Sequence, residues 1–99
     1  MPQFVVIAYD GTDPGALDRR MAARPAHLEN VRPMVEDGRL KAGGAILDDA
    51  GRMIGSVSIC EFDDRAALDR WLTTDPYVTG KVWQKIEVKP FRLAVMAKQ

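Results

Sequence analysis

The run Phe4-Val5-Val6-Ile7-Ala8-Tyr9 limits what this chain can become more than any other feature. It is too short for a stable helix and rich in β-branched and aromatic residues, so it reads as a strand. Successive side chains of a strand leave on opposite faces of the sheet. A strand apolar on both alternations therefore needs cover on both sides.

The rest of the chain supplies cover for one side. Asp13-Pro14 has the form of an N-cap followed by N1, which predicts a helix start there. Arg24 precedes Pro25, and a residue before proline is pushed out of helical dihedrals, so the helix is expected to break and restart at Pro25. Leu28, Val31 and Val35 then fall on one inward stripe, and Pro33 deprives Glu29 of its helical partner and should bend this piece. Asp37-Gly38 ends it. Leu40 to Leu47 reads as a strand interrupted at Gly43-Gly44, residues 48–52 as a hairpin loop, and Met53 to Phe62 as the returning strand. Asp63 or Asp64 caps a helix with Leu68, Trp71 and Leu72 on one face. Thr74-Asp75-Pro76-Tyr77 stops it before a last strand, whose apolar phase switches from Ile86 and Val88 to Phe91, Leu93 and Val95. A bulge or bend at Pro90 would explain the switch. The order is β-α-β-β-α-β, an α+β, ferredoxin-like pattern: a four-stranded antiparallel sheet with both helices on one face. The bare apolar face predicts a homodimer joined through it.

Ninety-nine residues predict one domain spanning 1–99. Fourteen Lys and Arg balance fourteen Asp and Glu, which leaves no basic footprint for nucleic acid and no polybasic membrane anchor. No segment reaches the roughly 20 apolar residues of a membrane span. The stretch MPQFVVIAYD lacks the form of a secretory signal, and a lone Cys60 fits a reducing compartment. A cytoplasmic protein is the expectation. One histidine and one cysteine without ligand spacing argue against a bound metal, and no phosphate-binding glycine loop is present. Cys60 reads as a small buried hydrophobe.

The chain's single histidine sits in RPAHLENV. With Pro25 at N1, His27 falls at N3, where the helix dipole and unpaired N–H groups favour a neutral imidazole able to take a proton, whereas a carboxylate such as Asp75 nearby would favour the protonated ring. A position about 100° from Leu28 puts it at the rim of the inward stripe. Asp75 before proline suits a cap for the following turn. Ser56 and Ser58 lie with Cys60 on one strand face, either as polar anchors in a pocket or as small residues allowing close approach. Gly43-Gly44 marks a bulge or room for a ligand. Tyr77 and Phe91 either wall an aromatic pocket or belong to the core or dimer contact. Arg24 either meets an anionic ligand or is solvated or salt-bridged. Trp71 reads as core and Trp83 as a residue of the dimer seam.

Taken together, FVVIAYD, RPAHLENV, EDGRLKAGG, GSVSICEF, DPYV and VKPF, in this order and spacing, resemble the YciI-like (YCII-related) family over essentially the full length. The resemblance implies a ferredoxin-like fold that dimerises into an α+β barrel. It further implies a site built on a histidine and an aspartate, which fall on His27 and Asp75. Some members are associated with lyase or dehydrochlorinase chemistry on small hydroxylated aromatics. Where many relatives have a longer segment, AILDDAGRMI at 45–54 makes a short hairpin. On this reading the chain is an enzyme without a cofactor. His27 is its general acid–base and Asp75 orients the ring. Arg24, Gly44, Ser56, Tyr77 and Phe91 are candidates to contact a small hydroxylated aromatic or enolisable substrate. The alternatives are a non-catalytic small-molecule-binding domain and an accessory dimerisation domain.

Overall fold

The computed structural model describes residues 1–97. The apolar run becomes β1 (Gln3–Asp10). The chain continues as α1 (Ala16–Glu36), β2 (Leu40–Leu47), β3 (Met53–Glu61), α2 (Arg65–Thr74), α3 (Pro76–Thr79) and β4 (Trp83–Phe91). The sheet order is β2-β3-β1-β4 with every neighbouring pair antiparallel. This is the ferredoxin-like arrangement, with one extra helical turn before the last strand.

β1 is a central strand, and its two alternations have separate fates. Phe4, Val6 and Ala8 are buried beneath the helices with Cys60, Phe62, Leu68, Val31, Met34 and Trp71. Val5, Ile7 and Tyr9 point the other way. Ile7 pairs with Val57 and Val5 with Ile59 across β3. That second face carries no helix, so Tyr9 and Val57 remain exposed.

Helix α1 differs from expectation in three ways. It begins at Ala16 with Gly15 as its N-cap, because Asp13 is otherwise engaged. The Asp13 carboxylate accepts from the Gly15 backbone N–H and grips the Arg19 guanidinium at 2.7 and 2.8 Å. The helix also runs unbroken through Pro25 and Pro33. Both prolines, with Met21 and Glu29 whose carbonyls lose their partners, lie on the exposed side, where water can replace the missing bonds. Finally, the inward face is Ala16, Arg20, Val31 and Met34, while Leu28 and Val35 are exposed. The buried stripe includes a charged residue, and so a reading of apolar spacing alone shifts it by one position.

Asp37 and Gly38 end α1, with Gly38 at φ +85°, the left-handed geometry that favours glycine. β2 passes through Gly43-Gly44 without a break, and its register shifts lie at Leu40/Ala42 and Ile46/Leu47 instead. Asp64 caps α2 by accepting from the Ala67 N–H at 2.8 Å. No bulge occurs at Pro90, which pairs regularly with Phe4. The irregularity in β4 falls opposite Tyr9/Asp10 and turns Trp83 into the interior.

Cys60 is fully buried, and burial pushes its thiol up to about 12. Alkylation at pH 8 should be roughly a thousandfold slower in the native protein than in the urea-unfolded chain, because so little thiolate is present. Equal rates measured by mass spectrometry would contradict this placement.

Candidate active site

The site is built where α1 crosses the β2–β3 side of the sheet. Arg20, Arg24, His27 and Val31 recur at helical spacing, so one face of α1 presents all four to the same space. Opposite them lie Ala42, Gly43 and Gly44 of β2 and Ser56 and Ser58 of β3. Tyr77 and Trp83 close the inner end. The partly open cavity is about 400 Å³, within the range that takes a small organic ligand.

His27 and Asp75, 48 residues apart, meet directly: Nδ1 lies 2.8 Å from Oδ1. The carboxylate of Asp75 is completely buried. Oδ1 also accepts from the Tyr77 backbone N–H at 2.9 Å, which caps α3. Oδ2 accepts from Trp71 Nε1 at 3.1 Å and from Asn30 Nδ2 at 3.3 Å. Capping and side-chain pairing are thus carried by one carboxylate. Because Asp75 serves here as an acceptor, Nδ1 is the donor of the His27 contact, and the neutral ring carries its lone pair on Nε2. His27 lines the cavity, and Nε2 has no hydrogen-bond partner among the described residues.

The ring is held by packing as well. Tyr77 stacks on it with centroids 3.9 Å apart and planes 12° from parallel. Trp83 meets it edge-on at 5.7 Å. This environment replaces the expected one: His27 lies in mid-helix, so no helix N-terminus acts on it, and its orientation comes from Asp75 and Tyr77. Burial raises the Tyr77 hydroxyl above its ordinary range, against the opposing pull of Arg20 and Arg24. The hydroxyl therefore stays a neutral donor at pH 7.

A second buried polar group lies beside the first. Arg20 Nη1 donates to both oxygens of Asp10 at 3.0 and 3.1 Å, and Nη2 donates to Ser56 Oγ at 2.8 Å. Trp83 Nε1 donates to the same Ser56 oxygen at 3.1 Å. A hydroxyl oxygen offers two lone pairs and one proton. Both lone pairs of Ser56 are taken, so its proton is free to donate toward the cavity that it lines. Burial raises the Asp10 carboxyl, while the adjacent Arg20 opposes the rise.

Of the residues singled out in the sequence, His27, Arg24, Gly44, Ser56, Ser58 and Tyr77 line one cavity and Asp75 stands directly behind it. Gly43 turns its missing Cβ toward Ser58 Oγ and Leu40, so the floor is open there. Gly44 pairs with Val57 and contributes backbone. Phe91 is not among the lining residues. It pairs with Gln3 at the end of β4 and falls on the face without helices. Trp83 is buried in the site rather than at an outer seam. Arg20 and Asn30 carried no signal in the sequence, since a lone arginine and asparagine in a helix look solvated. Only the spacing of Arg20 to Arg24 and His27 could have pointed to it. Among the described residues no three His, Cys, Asp or Glu side chains are grouped to hold a metal ion.

Comparison with known proteins gives consistent relatives. The family described as YCII-related domain matches residues 3–92. Protein YciI of Escherichia coli is 35% identical over 95 residues, covering 90% of this chain and 95% of that protein. An uncharacterized protein of Haemophilus influenzae is 34% identical over 96 residues, with the same coverage of 90% and 95%. Among solved structures, 5-chloro-2-hydroxyhydroquinone dehydrochlorinase of Burkholderia phenoliruptrix, in complex with 2,5-dihydroxybenzoquinone, superposes with a TM-score of 0.80. It is 23% identical and covers 93% of this chain and 95% of its own. A dimeric ferredoxin-like protein of unknown function from Jannaschia has a TM-score of 0.51 at 19% identity, over 94% of this chain and 100% of its own.

Replacing Asp75 by Ala leaves four donors without their buried acceptor and should cost about 3–5 kcal/mol in urea unfolding. Removing the exposed Asp69 partner of Arg65 should cost at most about 0.5 kcal/mol. Similar losses from the two substitutions would contradict the structural weight given to Asp75.

Proposed function

The chain belongs to the YCII-related domain family, and from that premise we propose that it is a cofactor-independent enzyme using His27 as general acid–base and Asp75 to orient it. The reaction is an elimination of lyase or dehydrochlorinase type, on a small hydroxylated aromatic or enolisable substrate. One observation carries the reading: a carboxylate–imidazole contact of 2.8 Å stands at the wall of a cavity of ligand size.

The chemistry follows from the free lone pair. Nε2 of His27 removes a proton from an acidic carbon of the substrate, or from a ring hydroxyl of its keto tautomer, in which the carbon bearing the leaving group is tetrahedral. The electron pair left behind moves into the ring system, and the leaving group departs with the electrons of its own bond. The imidazolium formed in this step faces the Asp75 carboxylate, which lowers its energy where it arises. The net change is loss of HX, and His27 returns to its starting state by giving its proton to solvent. Ser56, donating its hydroxyl proton, and Tyr77 and Arg24 hold the substrate oxygens, with Gly44 backbone forming part of the floor. That the dehydrochlorinase with the same fold is a complex with a dihydroxybenzoquinone supports a hydroxylated aromatic as the occupant.

The face of the sheet without helices supports a homodimer as the working form. Val5, Ile7, Tyr9, Val57 and Ile59 make it apolar at its centre, and a patch of this kind calls for a partner surface.

Two outcomes are expected. Chloride release from chlorinated hydroxyhydroquinones should fall about 10²- to 10⁴-fold in His27→Gln with circular dichroism unchanged. Undiminished release in that variant would refute the assignment, and saturable binding without any turnover would identify a binding domain instead. Ile7→Glu, which puts a charge at the centre of the open face, should turn a dimer into a monomer in sedimentation. An intact dimer would place the interface elsewhere.

A further inference from the structure

The charges lining the cavity do not cancel, and the remainder is a single guanidinium. Arg20 is neutralised by the buried Asp10 at 3.0 Å, and Lys41 is met by Glu61 at 3.5 Å. His27 faces Asp75. Arg24 lines the same space, yet among the described residues no ion pair involves it and no hydrogen-bond partner holds its side chain. No carboxylate is among the lining residues. The side chain is half-buried on the turn of α1 preceding His27, and its charge is felt at the Tyr77 hydroxyl. Two hydroxyls able to donate, those of Ser56 and Tyr77, line the same cavity.

We propose that the cavity selects an anionic ligand, whose acid group is bound by Arg24 while its ring or enol portion reaches His27. A guanidinium matches a carboxylate in shape and can bind it through two parallel hydrogen bonds. Partial enclosure strengthens that contact relative to bulk water. A neutral ligand would leave the charge of Arg24 unmatched inside the cavity. The inference rests on the reading of this cavity as a substrate site and adds the charge of the substrate class to it. It makes Arg24 a specificity-determining residue rather than a participant in proton transfer.

The test compares two probes of nearly equal shape, 2,5-dihydroxybenzoate and 2,5-dihydroxybenzamide, by calorimetric titration at pH 7. The benzoate should bind at least tenfold more tightly to the wild type. In Arg24→Gln the ratio should collapse to within about twofold, with the benzoate losing the larger share of its affinity. In His27→Gln the preference should survive, which separates a fixed guanidinium from a protonated imidazole as its source. Equal affinities in the wild type, or a preference that persists in Arg24→Gln, would overturn the proposal while leaving the cavity reading in place. Absence of saturable binding by both probes would overturn the cavity reading and this inference with it.

Discussion

The buried carboxylate of Asp75 is the interaction on which the arrangement depends. It accepts from His27 and Asn30 of α1, from Trp71 of α2 and from the first turn of α3. Taking such a group out of water costs several kcal/mol. Hydrogen bonds to a charged acceptor return about 1.5–3 kcal/mol each, so only a site with most of these donors in place is favourable. Three helices are thereby fixed relative to one another by one side chain. The angle of the His27 ring follows from the same constraint.

Around that anchor the interior divides into two regions of different character. Toward α2 the core is conventional, with Phe4, Val6, Leu68 and Phe62 packed against each other. Toward β2 the space beneath α1 is occupied by Arg20, Asp10, Ser56 and Trp83, joined in one hydrogen-bonded group. A polar interior of this kind is tolerable when most of its donors and acceptors are paired, and here Arg20 Nε is buried without a partner among the described residues. Such an interior leaves room that apolar side chains would fill, and the cavity lies there. Fixed donors at its wall cost little reorganisation when charge develops on a bound ligand.

How much of this was legible in the sequence depends on which physics wrote each part. The run at 4–9 announced a central strand and an uncovered face, because a period of two with no polar member allows nothing else. Asp75 before Pro76 announced a cap, since that chemistry is local. The continuity of α1 was not legible. Local dihedral preference at Arg24 argues for a break, and only tertiary burial of the opposite face overrides it. The burial of Arg20 was not legible for a related reason: it depends on Asp10 and Ser56, which are distant in sequence. His27 is legible by residue type and family pattern. The expected cause of its state, a helix start, gave way to a carboxylate 48 residues onward.

The central claim is that Asp75 fixes the His27 imidazole with its proton on Nδ1 and its lone pair on Nε2, facing the cavity. Long-range ¹H–¹⁵N correlation spectroscopy of the single histidine reads this directly, because the two neutral tautomers give different cross-peak patterns. Above the titration of the ring, the account predicts the Nδ1–H form in the wild type and a loss of that preference in Asp75→Ala. A wild-type spectrum of the Nε2–H form would contradict it, since the imidazole would then have no free base to offer the cavity.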